Sequence, residues 1–329
     1  MKTKTKRLKS LFRGAASVLL CAFLLFSLFG CSESEKESAT EKEGIKVVAT
    51  LFPQYSLAKE IAKDRADVVL LLPPGVDSHS FDPSMSELLK MKNADLFLYT
   101  GDAMESWAAA FIKAADENMT AVDLSEGIEL LSAHDGDDEE HEEHEEHEHH
   151  GHEHNVDPHI FTSPVNALHM ARTICDALCE KDPANAAYYA ENAKGLYDAL
   201  SALDADARAL AEQAKDKTLY FGGEFSLLYF VREYGFSYMS LYDTCSEGAE
   251  PSVRRMKEII DAMKKDGAKV IFYPELCDMR AAKSIAECTG ATPLLFHSCH
   301  NLSAKDFRDG KTYVGLMENN LQNLREALS

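Results

Sequence analysis

The sequence predicts an α/β protein of two lobes, each a roughly four-stranded parallel sheet flanked by helices, bridged by one long α-helix. Three observations carry this reading. Short apolar runs bounded by Gly, Pro, Asp or Asn alternate with helical patterns, which is how a parallel sheet covered on both faces reads. The runs fall into two sets of four: 45–51, 67–72, 95–99 and 120–124, then 218–222, 237–242, 269–273 and 292–296. Between the sets lies one helical pattern over 183–215, with Tyr189, Ala193, Leu196, Leu200, Leu203, Ala207, Leu210 and Ala214 at alternating spacings of four and three. That is a single apolar stripe, and at about 1.5 Å per residue it makes a strut about 45–50 Å long.

In chain order, residues 1–14 hold six Lys/Arg and no acid, and an apolar run follows from Ala15 to Phe29. This is the n-region and h-region of a secretory signal, too short for a comfortable membrane span. It ends Leu28-Phe29-Gly30-Cys31, which resembles a bacterial lipobox with lipidation at Cys31. Residues 1–30 are therefore expected to leave as a lipoprotein signal peptide, and the polar stretch 31–44 to act as a flexible tether. The rest divides into an N-terminal lobe, 45–182, the linking helix, 183–215, and a C-terminal lobe, 216–329. Removing residues 1–30 takes away six positive charges, so the formal charge moves from −21 to −27. Such a balance argues against nucleic acid and fits a cation-gathering surface. Six cysteines remain after Cys21 and Cys31: Cys175, Cys179, Cys245, Cys277, Cys288 and Cys299, with no CxxC spacing among them. Cys175 and Cys179, one helical turn apart, read as packing residues.

Helical patterns at Gln54–Lys63 and Met85–Met91 separate the first strands, and Pro251–Lys265, opened by Pro251 and stopped by Gly267, lies in the second set. Residues 134–154 carry eight of the 13 histidines (His134, His141, His144, His147, His149, His150, His152 and His154) among Asp, Glu and Gly, with no apolar side chain. Nothing there can bury a core, so the segment reads as a hydrated loop that gathers dications weakly. Ordered composition resumes at Asp157-Pro158-His159, before a capped helix start at Thr162-Ser163-Pro164.

In open parallel sheets ligands bind beyond the carboxyl ends of the strands. His79 follows the second strand and Glu224 the first of the second set, while His297 and His300 follow its fourth. With His159 these residues converge on one inter-lobe crevice, a three- or four-ligand dication site. His169 lies mid-helix and reads as a surface or packing residue. Trp107 is a cleft or a core residue. Gly222-Gly223 lacks the Lys-Ser/Thr of a phosphate loop. There is no HExxH and no distinct general base, which argues against a metalloenzyme. A zinc buffer or adhesin that never hands metal on is harder to separate from a carrier.

These motifs resemble the solute-binding lipoproteins of zinc- and manganese-type ABC importers (cluster A-I). PPGVDSHSFDPS is similar to the first-ligand loop of that family and VDPHIFTSP, after an acidic His-rich insertion, to the second. FGGEFSLLYFVREYGF is similar to the third-ligand segment, and GAEPSVRRMKEIID to a helix that follows it. The resemblance covers about residues 45–329. It implies a monomeric carrier, not an enzyme, lipid-anchored at Cys31 on the extracytoplasmic face of the cell membrane. It further implies metal held in the cleft and delivery to a membrane permease with a cytoplasmic ATPase. Two departures stand out. Zinc-type members often have His where this chain has Glu224, and manganese-type members often have Glu. The family often supplies an Asp in the fourth-ligand region, here HSCHNLS, where a register anchored on Pro293 puts Asn301 at that Asp with His300 beside it. The expected ligands are His79, His159, Glu224 and His300, with His297 in reserve. Zn2+ is favoured over Mn2+ because imidazoles outnumber hard oxygen donors. An ordinary imidazole titrates near pH ~6.5, so affinity is expected to fall below about pH 6.

Overall fold

The computed structural model describes residues 44–115, 118–132, 156–215, 218–242 and 252–329. The signal, Cys31, the tether, the His-rich loop 134–154 and Cys245 lie outside the described residues. Glu43–Ser329 forms one compact unit.

The first sheet contains β1 (Lys46–Ala49), β2 (Asp67–Leu70), β3 (Leu96–Tyr99) and β4 (Thr120–Asp123), in the order β2-β1-β3-β4. Every pairing is parallel, with Val47 opposite both Val68 and Leu96 and Leu98 opposite Val122. Helices α1 (Phe52–Ala62), α2 (Met85–Lys92) and α3 (Ala108–Ala114) make the crossovers. The second sheet repeats the plan: β5 (Thr218–Phe221), β6 (Ser237–Ser240), β7 (Val270–Tyr273) and β8 (Thr292–Leu295) in the order β6-β5-β7-β8. Its crossovers are α6 (Leu228–Tyr234), α7 (Val253–Asp266) and α8 (Arg280–Thr289). Pro293 is tolerated because β8 is an edge strand, where a missing N–H costs no ladder bond.

Local chemistry explains the helix ends. Ser84 and Glu87 form a reciprocal capping box at the start of α2. Ser163 accepts from the Asn166 N–H, with Pro164 at the first position of α4 (Pro164–Lys181). The start of α7 differs from expectation: Ser252 caps it by accepting from the Arg255 N–H at 3.0 Å, so the helix begins at Val253 and Pro251 lies outside the described residues. Gly267 ends it at φ +70°, as a left-handed C-cap requires.

The bridging helix α5 (Ala186–Gln213) follows a short 3-10 turn, Pro183–Asn185. It buries Tyr189, Ala193, Leu196, Leu200, Leu203 and Ala207 as the sequence predicts. In the last turn Ala211 replaces Leu210 as the buried residue, because the 3.6-residue repeat drifts off an alternating four-three count. A second tie between the lobes comes from the C-terminal helix α10 (Tyr313–Ala327), which follows the short α9 (Ala304–Arg308) and packs on both α5 and α1. The buried Tyr313 hydroxyl donates to the Phe161 carbonyl at 2.6 Å, and its N–H donates to Ser56 Oγ at 2.8 Å. One hydrophobic core accordingly runs from Val47 and Leu96 through Phe161 and Leu203 to Phe221 and Phe296.

Candidate metal centre

Both sheets bring their carboxyl ends to a single cleft of about 440 Å³, lined by Asp77, His79 and His159 from one side and Glu224, Glu275 and His300 from the other. Each imidazole has its own local support. Asp77 accepts through one oxygen from the N–H groups of His79 (2.9 Å) and Ser80 (3.0 Å), an Asx turn that shapes the loop after β2. Asn301 fastens the same loop from the opposite lobe, donating to the carbonyls of Pro73 (2.9 Å) and Val76 (2.6 Å). His159 is fully buried. Asp157 Oδ1 accepts from its backbone N–H at 2.8 Å and lies 2.9 Å from its Nδ1. The Tyr229 hydroxyl, from α6 of the other lobe, donates to the Asp157 carbonyl at 2.8 Å.

With Nδ1 held by Asp157, His159 presents Nε2 to the cleft, where it lies 3.2 Å from Nε2 of His79. Two nitrogens each about 2.0–2.1 Å from a tetrahedral zinc stand roughly 3.3 Å apart, so this pair already has the spacing of two ligands. The His300 ring centroid lies 6.2 Å from that of His79 and 6.3 Å from that of His159. Glu224 stands on the same cleft after Gly222-Gly223 and is exposed. A Cβ on Gly222 would come within 2.7 Å of Ala282 Cα, and one on Gly223 within 2.7 Å of Pro274 Cδ, so the two glycines serve close packing of α8 and the β7 exit. Among the described residues no three His, Cys, Asp or Glu side chains already stand in coordinating geometry. The two imidazoles stand at ligand spacing, and the other two expected donors line the same cleft.

The environment favours neutral imidazoles. Burial, reinforced by the rings of His159 and His300, pushes His79 down to about 4. Burial likewise lowers His300, with Glu275 opposing it. Burial alone would raise Asp157, but His159 outweighs it and holds the carboxyl below its ordinary value. The same balance operates at Glu275, where burial is overcome by His297, His300 and the Ser298 donors. The expected loss of affinity below about pH 6 therefore needs correction for His79: a ring that protonates near 4 competes with a metal only at lower pH.

The remaining residues singled out from sequence fall elsewhere. His297 does not line the cleft. It is buried, its N–H donates to Asn320 Oδ1 (2.7 Å), and its Nδ1 accepts from the Cys299 N–H (2.9 Å). His169 bonds the Glu126 carbonyl on the surface at 2.8 Å. Trp107 packs edge-on against Phe81 and Phe97, away from the cleft. Cys175, Cys179, Cys277, Cys288 and Cys299 carry free thiols. Glu275 was missed, yet it follows β7 as Glu224 follows β5, and the same strand-end rule would have found it.

Two parallel-sheet lobes facing one cleft across a rigid helix are the architecture of a solute-binding protein. The family model described as zinc-uptake complex component A, periplasmic (ZnuA), matches residues 47–327, and the chain belongs to that family. It is 31% identical over 312 residues to the high-affinity zinc uptake system protein ZnuA of Bacillus subtilis, covering 94% of this chain and 96% of that protein. It is 28% identical to the zinc-binding lipoprotein AdcA of Streptococcus pneumoniae serotype 4, covering 94% of this chain but only 60% of AdcA. The crystal structure of the metal-dependent lipoprotein YcdH from Bacillus subtilis superposes with a TM-score of 0.73 at 28% identity, over 86% of this chain and 99% of that one. The Zn(II)-bound ZnuA-like domain of Streptococcus pneumoniae AdcA gives 0.71 at 25% identity, over 87% and 99%. Among the described residues no helix is long and apolar enough to cross a membrane.

Proposed function

We propose that this chain captures one Zn2+ in the cleft through His79, His159, Glu224 and His300 and hands it to an ABC permease with a cytoplasmic ATPase. The observation that carries the proposal is the 3.2 Å Nε2–Nε2 separation between His79 and His159, two residues 80 positions apart. Neutral imidazoles paired at ligand spacing are a site for a borderline cation, and the relatives' zinc-uptake names agree with this. Glu224 supplies an anionic oxygen, and His300 completes a four-ligand set. In this reading a lipid on Cys31 holds the chain at the extracytoplasmic face of the membrane, with 31–44 as the tether. The lobes, 45–182 and 216–329, hold the cation between them, and the linking segment 183–215 limits hinging of one against the other. The loop 134–154 collects zinc weakly and keeps it within reach of His159.

Glu224 also favours a second cargo, Mn2+, since a hard carboxylate suits that ion better than imidazole does. Native mass spectrometry with elemental analysis of the mature protein from metal-replete medium separates the two. One zinc retained after residues 134–154 are deleted, and lost with His79→Ala/His159→Ala, supports the reading. One manganese transfers it to the alternative. To separate delivery from storage, growth under zinc scarcity should fail in a His159→Ala strain.

A further inference from the structure

The cleft wall of the C-terminal lobe contains a buried carboxylate that touches no cleft histidine on the opposite lobe and that the proposed ligand set leaves unused. Glu275 has a side chain 5% exposed, and all its described partners lie in the turn after β8. Its Oε2 accepts from the Ser298 N–H at 2.9 Å, and its Oε1 accepts from the Ser298 hydroxyl at 2.5 Å. Oε1 also lies 3.3 Å from His300 Nδ1 and 3.5 Å from His297 Nδ1. The Ser298 hydroxyl oxygen is in direct contact with His300 Nδ1 as well.

Counting protons in this cluster leaves one arrangement. His297 Nδ1 accepts from the Cys299 N–H at 2.9 Å, so in neutral His297 it carries no hydrogen to give Glu275. Ser298 has one hydroxyl hydrogen, and the carboxylate is its acceptor. The hydrogen between Ser298 Oγ and His300 Nδ1 must then come from the imidazole. His300 is thereby fixed with Nδ1 protonated, and its Nε2 lone pair is left for the cleft.

We propose that Glu275 and Ser298 are positioning residues that set the tautomer and ring orientation of His300, so that Nε2 faces the cargo cation. The inference rests on His300 being a ligand. It gives this lobe what Asp157 gives the other, a carboxylate behind an imidazole, reached here through a hydroxyl. A carboxylate behind a metal-bound imidazole raises its basicity and holds its ring.

The test measures Zn2+ affinity by chelator competition on the protein lacking residues 134–154, in parent, Glu275→Gln, Ser298→Ala, His300→Ala, His300→Asp and Glu275→Gln/His300→Asp forms. Glu275→Gln is expected to weaken binding about 10- to 100-fold, the usual loss for an outer-shell partner. It should have no further effect once His300 is Asp, since an aspartate has no tautomer to set. Imidazole 15N shifts of the metal-free protein give a second readout that general destabilisation does not move. His300 should be Nδ1-protonated in the parent and a mixture of tautomers in Glu275→Gln and Ser298→Ala. Parent-like affinity in Glu275→Gln alongside a loss in His300→Ala would overturn the relay alone. Parent-like affinity in His300→Ala would remove the ligand assignment and the relay with it. An equal loss from Glu275→Gln in both His300 backgrounds would also overturn it.

Discussion

The two walls of the cleft are built differently. The N-terminal lobe holds Nε2 of His79 and Nε2 of His159 3.2 Å apart: His159 is fully buried on Asp157, and His79 sits on an Asx turn pinned from across the cleft by Asn301. The C-terminal lobe offers the exposed Glu224 and His300, whose ring centroid lies 6.2 Å from that of His79, against 5.2 Å between the rings of His79 and His159. The difference teaches that the halves have different tasks. On the proposed ligand set, a pair already at ligand spacing costs little ordering to bind and would supply most of the affinity, with Glu224 and His300 completing the shell.

Removing an imidazole of the N-terminal pair should have the largest effect on binding. His159→Ala or His79→Ala should weaken zinc binding by more than the roughly 100-fold that outer-shell changes reach, read by chelator competition on the protein without residues 134–154. Glu224→Gln and His300→Ala should each cost less than either of these. Equal losses on the two walls would show that neither half is pre-organised.

A smaller effect concerns protons. The folded protein holds His79 at about 4 while the unfolded chain titrates near the ordinary value of about 6.5. Between those values the unfolded state binds a proton that the folded state does not, so the metal-free protein should lose stability as pH falls from about 6.5 to about 4. Above that window His79 is neutral in both states and contributes no slope. Denaturant melts of parent and His79→Gln at pH 7 and 5 check this. The parent should lose more stability between the two, and identical pH slopes would contradict the burial of this ring. The same shift keeps His79 unprotonated at pH 5.5, so it should not by itself cost affinity there.

Smallest at the tight site is the deletion of 134–154. Calorimetry should show the extra, weak zinc equivalents gone and the tight equivalent kept, because a segment without apolar residues cannot fix one coordination geometry. Loss of the tight equivalent instead would reverse the roles of loop and cleft.

Much of this was legible in the sequence. All eight strands fall within a residue or two of the apolar runs, because strands buried on both faces are written almost entirely in apolar residues. The strand-end rule pointed to His79, Glu224 and the His297/His300 pair, and the ordered Asp157-Pro158-His159 after the His-rich segment pointed to His159; of these, His79, His159, Glu224 and His300 line the cleft. Periodicity could not reveal that α10 returns to pack on α1, since the hydrogen bonds of Tyr313 to Phe161 and Ser56 join residues far apart in the chain. Nor could it separate His300 from His297, which differ by three positions on one turn. Only the Asn320 side chain, on α10, shows which of them is folded inward.

On the proposed ligand set, a single cation is held by imidazoles of both lobes together with one carboxylate. X-ray absorption at the zinc edge, on the protein without residues 134–154 loaded with one equivalent, tests it most directly. The first shell should contain nitrogen and oxygen only, at about 2.0–2.1 Å, with the outer-shell scattering of three imidazoles. That scattering should drop to two imidazoles in His300→Asp. A sulfur in the first shell, or a single imidazole in the parent, would contradict it.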